Sequence, residues 1–198
     1  MIGTRTEGLR RVSGEGLTGL SSIAVRVLLA NAVLVLCSKI AIPLPWTPVP
    51  LTLQSFGVLL IAVMFGARAS SLGALLYLVE GAAGLPVFQP FGAPAAARLF
   101  GPTAGYLLAF PVAAFVAGRL VERLFARRAA ASPHRSAGWL AIAAALLSAD
   151  AIMLLCGWGW LATFVGAANA ARLGLLPFLA GDLAKIAAAT IIARALHR

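Results

Sequence analysis

Asp182 and Lys185 stand three residues apart inside G-L-L-P-F-L-A-G-D-L-A-K-I-A-A-A, residues 174–189, a run that is otherwise apolar. At that spacing both side chains share one face of a helix. A charge at the centre of a bilayer costs about 3 kcal/mol on insertion scales, and such charges face a cavity or a pathway, or pair with one another. Two readings follow: the pair merely neutralises itself, or it forms the polar floor of a binding pocket. Pro177 and Gly181 precede the charges, which predicts an interrupted or kinked helix where they begin. The chemistry on offer is binding rather than bond-making. No nucleophile–base pair or metal set is present, and the two histidines, His134 and His197, fall in basic segments outside the apolar runs. The chain is therefore not expected to be an enzyme, and no cofactor or metal is expected.

The elements that must position this pair are set by composition. The chain has 198 residues, of which 61% are hydrophobic and 11% charged. Soluble domains are about 45–50% apolar, so too little polar surface remains to cover a water-soluble globule. An all-α membrane protein is expected, with about six spans of roughly 20 residues each and no separate soluble domain. Net charge is +10, and most of the basic residues fall in alternate loops. That is the positive-inside pattern of a multi-pass protein of the cytoplasmic membrane rather than a nucleic-acid footprint. Cys37 and Cys156 lie in apolar runs and read as small buried hydrophobes. No Walker loop is present, so energy for any transport has to come from a gradient or a partner.

Along the chain, residues 1–21 read as a flexible cytoplasmic tail rather than a signal peptide, and residues 22–198 as a single six-helix transmembrane domain. Span 1 covers about residues 22–40 and runs into I-P-L-P-W-T-P-V-P, residues 42–50, too proline-rich for a regular helix. This stretch reads either as a lid or wall at the membrane face or as a plain connector, with Trp46 as an interfacial anchor. Span 2 covers about 51–65, with Thr52 and Gln54 in its first turn, and a tight turn at 66–71 leads to span 3, about 71–83. There Tyr77 and Glu80 share a face. A loop at 84–100, punctuated by Pro and Gly, carries Phe88, Phe91, Phe100 and Arg98. Arg98 lies on the side otherwise poor in positive charge.

Span 4 opens on G-P-T-A-G-Y, residues 101–106, and ends near residue 120; Gly101 and Gly105 permit close helix packing. A loop rich in arginine from Arg119 to Arg135 follows, then span 5 (about 139–164) with Asp150 at mid-span, then span 6 (about 171–195). Asp150 is a third intramembrane acid, functional by default. Counting basic residues puts both termini in the cytoplasm and the loops at 42–50 and 84–100 outside. The outer-half inventory is then Gln54, Tyr77, Glu80, Arg98, Tyr106, Asp182 and Lys185, with Trp46 and Phe88 among the aromatics around it. It suits a small, largely apolar ligand with a carboxylate at one end and hydrogen-bond donors at the other. Arg98 or Lys185 is the candidate for the carboxylate, and Asp182, Glu80 or Gln54 for the donors.

Four ordered blocks carry a family resemblance: P-W-T-P-V-P-L-T-L-Q (45–54), Y-L-V-E-G-A-A-G-L-P-V-F (77–88), G-P-T-A-G-Y-L-L-A-F-P (101–111) and L-P-F-L-A-G-D-L-A-K (176–185). Together they resemble the BioY family, the biotin-capturing S subunits of energy-coupling factor transporters, over about residues 22–195. The resemblance implies a six-helix fold with a biotin site near the outer face. It implies a transmembrane coupling subunit and two cytoplasmic ATPase subunits as partners. It also implies ligand contacts from Asp182 and Lys185, with Arg98 as the matching loop arginine and Gln54, Glu80 and Tyr106 at motif positions. The small-residue pattern with which S subunits dock through their first helix is broken here, reading Ala30, Leu34, Ser38. A proton-coupled carrier working alone, with Glu80, Asp150 and Asp182 as relay groups, is the competing expectation.

Overall fold

The computed structural model describes the backbone of residues 4–131 and 138–196, and the side chains of 22–127 and 138–196. His134, His197 and Arg135 lie outside the described residues. Helices dominate: α1 (Thr4–Lys39), α2 (Gln54–Ala82), α3 (Ala104–Ala131), α4 (Trp139–Val165), α5 (Ala167–Gly174) and α6 (Leu179–Leu196). Two short strands, β1 (Ala41–Ile42) and β2 (Leu51–Thr52), pair antiparallel, and a 3-10 helix occupies Ala95–Phe100. Among the described residues, four of the helices are long and apolar enough to cross a membrane, five if α5 and α6, bent by 51° at their junction, count as one span. The apolar window of α1 begins at Ser22, while the helix itself starts at Thr4, within the stretch read as a tail.

The element α2 is not a rod. Gly66 sits at φ 77°, ψ 177° in its middle, outside helical geometry. In a straight helix Gln54 and Tyr77 would lie about 35 Å apart, yet Gln54 Nε2 donates to Tyr77 Oη at 2.6 Å. The chain reverses at Gly66, and residues 54–65 and 67–82 are the two arms of a hairpin. Glu122 of α3 secures the reversal: its Oε1 accepts from the Ala67 N–H at 2.8 Å, capping the second arm. A Cβ on Gly66 would lie 2.4 Å from that oxygen, so both the backbone angle and the space call for glycine.

One expectation about an element's end changes. Helix α3 does not stop near residue 120 but continues to Ala131 through Arg119, Arg123 and Arg127. The segment R-L-V-E-R-L-F-A-R-R-A-A-A consists of strong helix formers and carries an i,i+3 pair, Arg119–Glu122 at 3.3 Å, so it stays helical beyond the apolar window. The last span is broken as the sequence predicts, with residues 175–178 parting α5 from α6 at Pro177.

Small side chains share the interior of the bundle with large ones such as Leu34, Leu59, Ile142 and Leu146. Ala113, Ala114, Ala117, Ala149, Ala189 and Ala193 are fully buried, letting helices approach closely as lipid-embedded helices must. Gly105 does the work anticipated for it, since its Cα faces α4 so closely that a Cβ would lie 2.5 Å from the Cys156 carbonyl. Other large apolar residues point outward, among them Leu36, Leu140 and Leu183, the outward face expected in lipid.

Candidate functional site

The break between α5 and α6 puts Asp182 in the first turn of α6, where the positive end of the helix dipole favours a carboxylate. One turn on, Lys185 Nζ reaches back to Asp182 Oδ1 at 2.8 Å and to Ser55 Oγ at 2.8 Å. Ser55 closes the triangle by donating to the same Asp182 oxygen at 3.3 Å. Asp182 is 4% exposed. These bonds do not exhaust the cluster. A lysine ammonium has three donors and a carboxylate two oxygens, so one Lys185 proton and Asp182 Oδ2 remain available for a ligand.

The triangle faces a narrow chamber of about 70 Å³ that is open on one side. Val49, Pro50, Leu107, Phe110, Met153, Leu154 and Phe178 form its apolar walls, and Gln54, Tyr106 and Asp150 bring further polar atoms. The proline-rich loop is thus a wall. The β1–β2 pairing closes its ends, Thr47 Oγ1 donates to the Leu173 carbonyl at 2.7 Å, and Val49 packs against Leu161, Ala170 and Phe178.

A second chamber adjoins the first and shares Pro50, Gln89 and Thr103 with it; Arg98 and Thr47 line it. Arg98 is 5% exposed, donates through Nε to the Ala93 carbonyl at 3.0 Å and through a terminal nitrogen to the Phe91 carbonyl, and lies 5.8 Å over the Phe88 ring. Burial draws its pKa down from the ordinary arginine value. Lys39 fixes the start of this loop by donating to the Pro86 and Phe88 carbonyls.

The residues singled out in the sequence therefore divide. Gln54, Tyr106, Asp182 and Lys185 meet at the first chamber, and Arg98 lines the second. Tyr77 and Phe88 stand behind them: Tyr77 holds Gln54 in place and Phe88 meets its ring edge-on at 5.2 Å. Tyr106 spends its phenol proton on the Gly174 carbonyl, so its hydroxyl positions α5 and offers a ligand only lone pairs. Glu80 lies away from both chambers, half-buried against α1, where it accepts from Asn31 Nδ2 at 2.8 Å. Trp46 is 62% exposed and lines neither chamber; its ring sits on the outer surface of the loop whose other side carries Val49. Ser55 was not anticipated. Its only signal was adjacency to Gln54 in a first helical turn. Asp150, without an assigned task in the sequence, lines the main chamber.

Fold and site define a helical membrane protein that encloses a small-molecule chamber with acidic and basic groups on apolar walls. The family model for BioY matches residues 11–198, and the chain belongs to the BioY family. A probable biotin transporter BioY of Pyrococcus horikoshii is 40% identical over 150 residues, 76% of this chain and 82% of the relative. The biotin transporter BioY of Thermotoga maritima is 37% identical over 169 residues, 85% of this chain and 91% of its own. Among solved structures, the crystal structure of the S-component for biotin from an ECF-type ABC transporter superposes with a TM-score of 0.75 at 22% identity, covering 90% of this chain and 92% of that one. At that identity the likeness concerns the fold.

Proposed function

We propose that this chain captures biotin and passes it across the membrane as the substrate-binding subunit of an energy-coupling factor transporter, and performs no chemistry on it. The Asp182–Lys185–Ser55 triangle at the chamber carries the reading. Biotin offers two urea N–H donors, one urea carbonyl, an apolar fused ring and chain, and a carboxylate. Asp182 Oδ2 accepts from one N–H, the remaining Lys185 proton goes to the carbonyl, the chamber walls take the ring, and Arg98 in the adjoining chamber takes the carboxylate. Gln54 and Tyr106 complete the polar lining, with Tyr77 and Phe88 behind them.

In this reading the two arms of α2, together with α1, α3, α4 and the broken α5–α6 pair, make six spans of the cytoplasmic membrane, with residues 1–21 and the C-terminus in the cytoplasm. The partners are a transmembrane coupling subunit and two cytoplasmic ATPase subunits. Calorimetry on the purified chain tests the ligand: biotin binds tightly, desthiobiotin more weakly and thiamine not at all. Equal affinity for thiamine would end the reading. Biotin uptake into proteoliposomes driven by a pH gradient alone would favour the stand-alone carrier over the energised complex.

A further inference from the structure

Asp150 sits at the middle of α4, 3% exposed, with its carboxyl on the wall of the main chamber. Of the chamber's two acids, Asp182 is engaged by Lys185 and Ser55, whereas among the described residues Asp150 has no hydrogen bond and no ion pair. Among the described residues the sealed side-chain atom left without a hydrogen bond is Asn31 Oδ1, not Asp150; an acceptor that has no protein partner and lines a chamber has its reason in what fills that chamber. Here the reason is legible in the valences. Protonated or not, a carboxyl keeps an oxygen able to accept a hydrogen bond. The Asp182–Lys185 pair leaves one carboxylate oxygen on Asp182, while a cyclic urea presents two N–H donors on opposite sides of its carbonyl. One donor is left over, and Asp150 stands on another wall of the same chamber with an idle acceptor.

We propose that Asp150 is a further ligand-binding residue, accepting the second ring N–H of the captured ligand, an inference that rests on the biotin reading above. Asp182 and Asp150, on α6 and α4, would then grip the ring from two helices. Ligands with a single N–H would leave Asp150 unpaired and be rejected, which makes Asp150 a specificity determinant as well as a contact.

The test uses the full chain in detergent, with biotin and two analogues in which one or the other urea nitrogen is methylated. Asp150→Ala is expected to weaken biotin binding about 10- to 100-fold, because it leaves a donor of the bound ligand unmet. The melting temperature of the ligand-free protein is expected not to fall, because the acid holds nothing in that state. Asp150→Asn, which keeps an accepting oxygen, is expected to stay within about tenfold of the unsubstituted chain. Methylating the N–H that faces Asp150 should weaken binding to the unsubstituted chain but add little to the loss already present in Asp150→Ala, the non-additivity of a direct contact. Equal losses for biotin and both methylated analogues, biotin affinity unchanged in Asp150→Ala, or a variant that no longer folds would each overturn the assignment. An unsubstituted chain that does not bind biotin would instead sink the biotin reading itself.

Discussion

Lys185 is the side chain on which the chamber's electrostatics turn. It holds Asp182 and Ser55 together and keeps a proton to spare. Removing one member of a buried ion pair strands the other, at about 3–5 kcal/mol. Lys185→Met is therefore expected to lower biotin affinity by at least about 100-fold in calorimetry, whereas Ser55→Ala, which removes one neutral partner of about 1 kcal/mol, should cost about tenfold or less. Arg98 calls for a different experiment, because two of its donors already brace its own loop. If the guanidinium also meets a carboxylate, the unsubstituted chain should prefer biotin to its uncharged amide. Arg98→Gln should then erase that preference, weakening biotin about tenfold or more and the amide far less. Equal losses for both ligands in a binding assay would reduce Arg98 to a loop brace.

At the scale of elements, glycines decide how close the helices come to the chamber. The Tyr106 ring lies flat on Gly157 of α4, where a Cβ would fall 2.1 Å from ring carbons. Gly157→Ala must push the ring aside, into the chamber and off its bond to the Gly174 carbonyl. Biotin affinity should fall about tenfold or more, since overpacking of this kind costs about 1–3 kcal/mol. Gly159→Ala, two residues on with nothing within 4 Å of its Cβ, is the control and should bind as the unsubstituted chain does.

Much of this layer was legible in the sequence. Proline 177 marks the α5–α6 break, the run at 42–50 could not be helical, and the i,i+3 spacing put Asp182 and Lys185 together. What the sequence hid were contacts between distant segments. Tyr77 and Glu80 share a helix face by spacing, but one turns to Gln54 and the other to Asn31 of α1. The reversal at Gly66 depends on Glu122, 55 residues along the chain from Ala67, whose N–H it accepts. The length of α3 escapes a reading of arginines as loop markers, because the same residues favour helix. Ala30, Leu34 and Ser38, the broken docking pattern, turn out to be fully buried and so belong to the interior of the bundle.

For the molecule as a whole, orientation follows from which charges share an end. The contact between Gly66 and Glu122 places the α2 reversal, with Arg68, beside the arginine-bearing end of α3. Arg194 at the end of α6 lies 4.0 Å over the Trp139 ring at the start of α4, collecting a further cation at the end where α4 begins. At the opposite end, Lys39 is spent on the Pro86 and Phe88 carbonyls and Arg98 on those of its own loop, which among the described residues leaves the exposed Arg172 of α5 as the cation facing solvent there. In the proposed orientation the lysine- and arginine-rich segments stay in the cytoplasm, and the chamber mouth, bounded by the proline-rich wall and the Arg98 loop, faces outward. In a chain whose Cys37 and Cys156 are replaced by alanine, Trp46→Cys should therefore react with a membrane-impermeant maleimide added to intact cells. Arg127→Cys, on the exposed far end of α3, should react only after permeabilisation. Labelling in the reverse order would turn the chamber toward the cytoplasm, where it would serve release of a ligand rather than capture from outside.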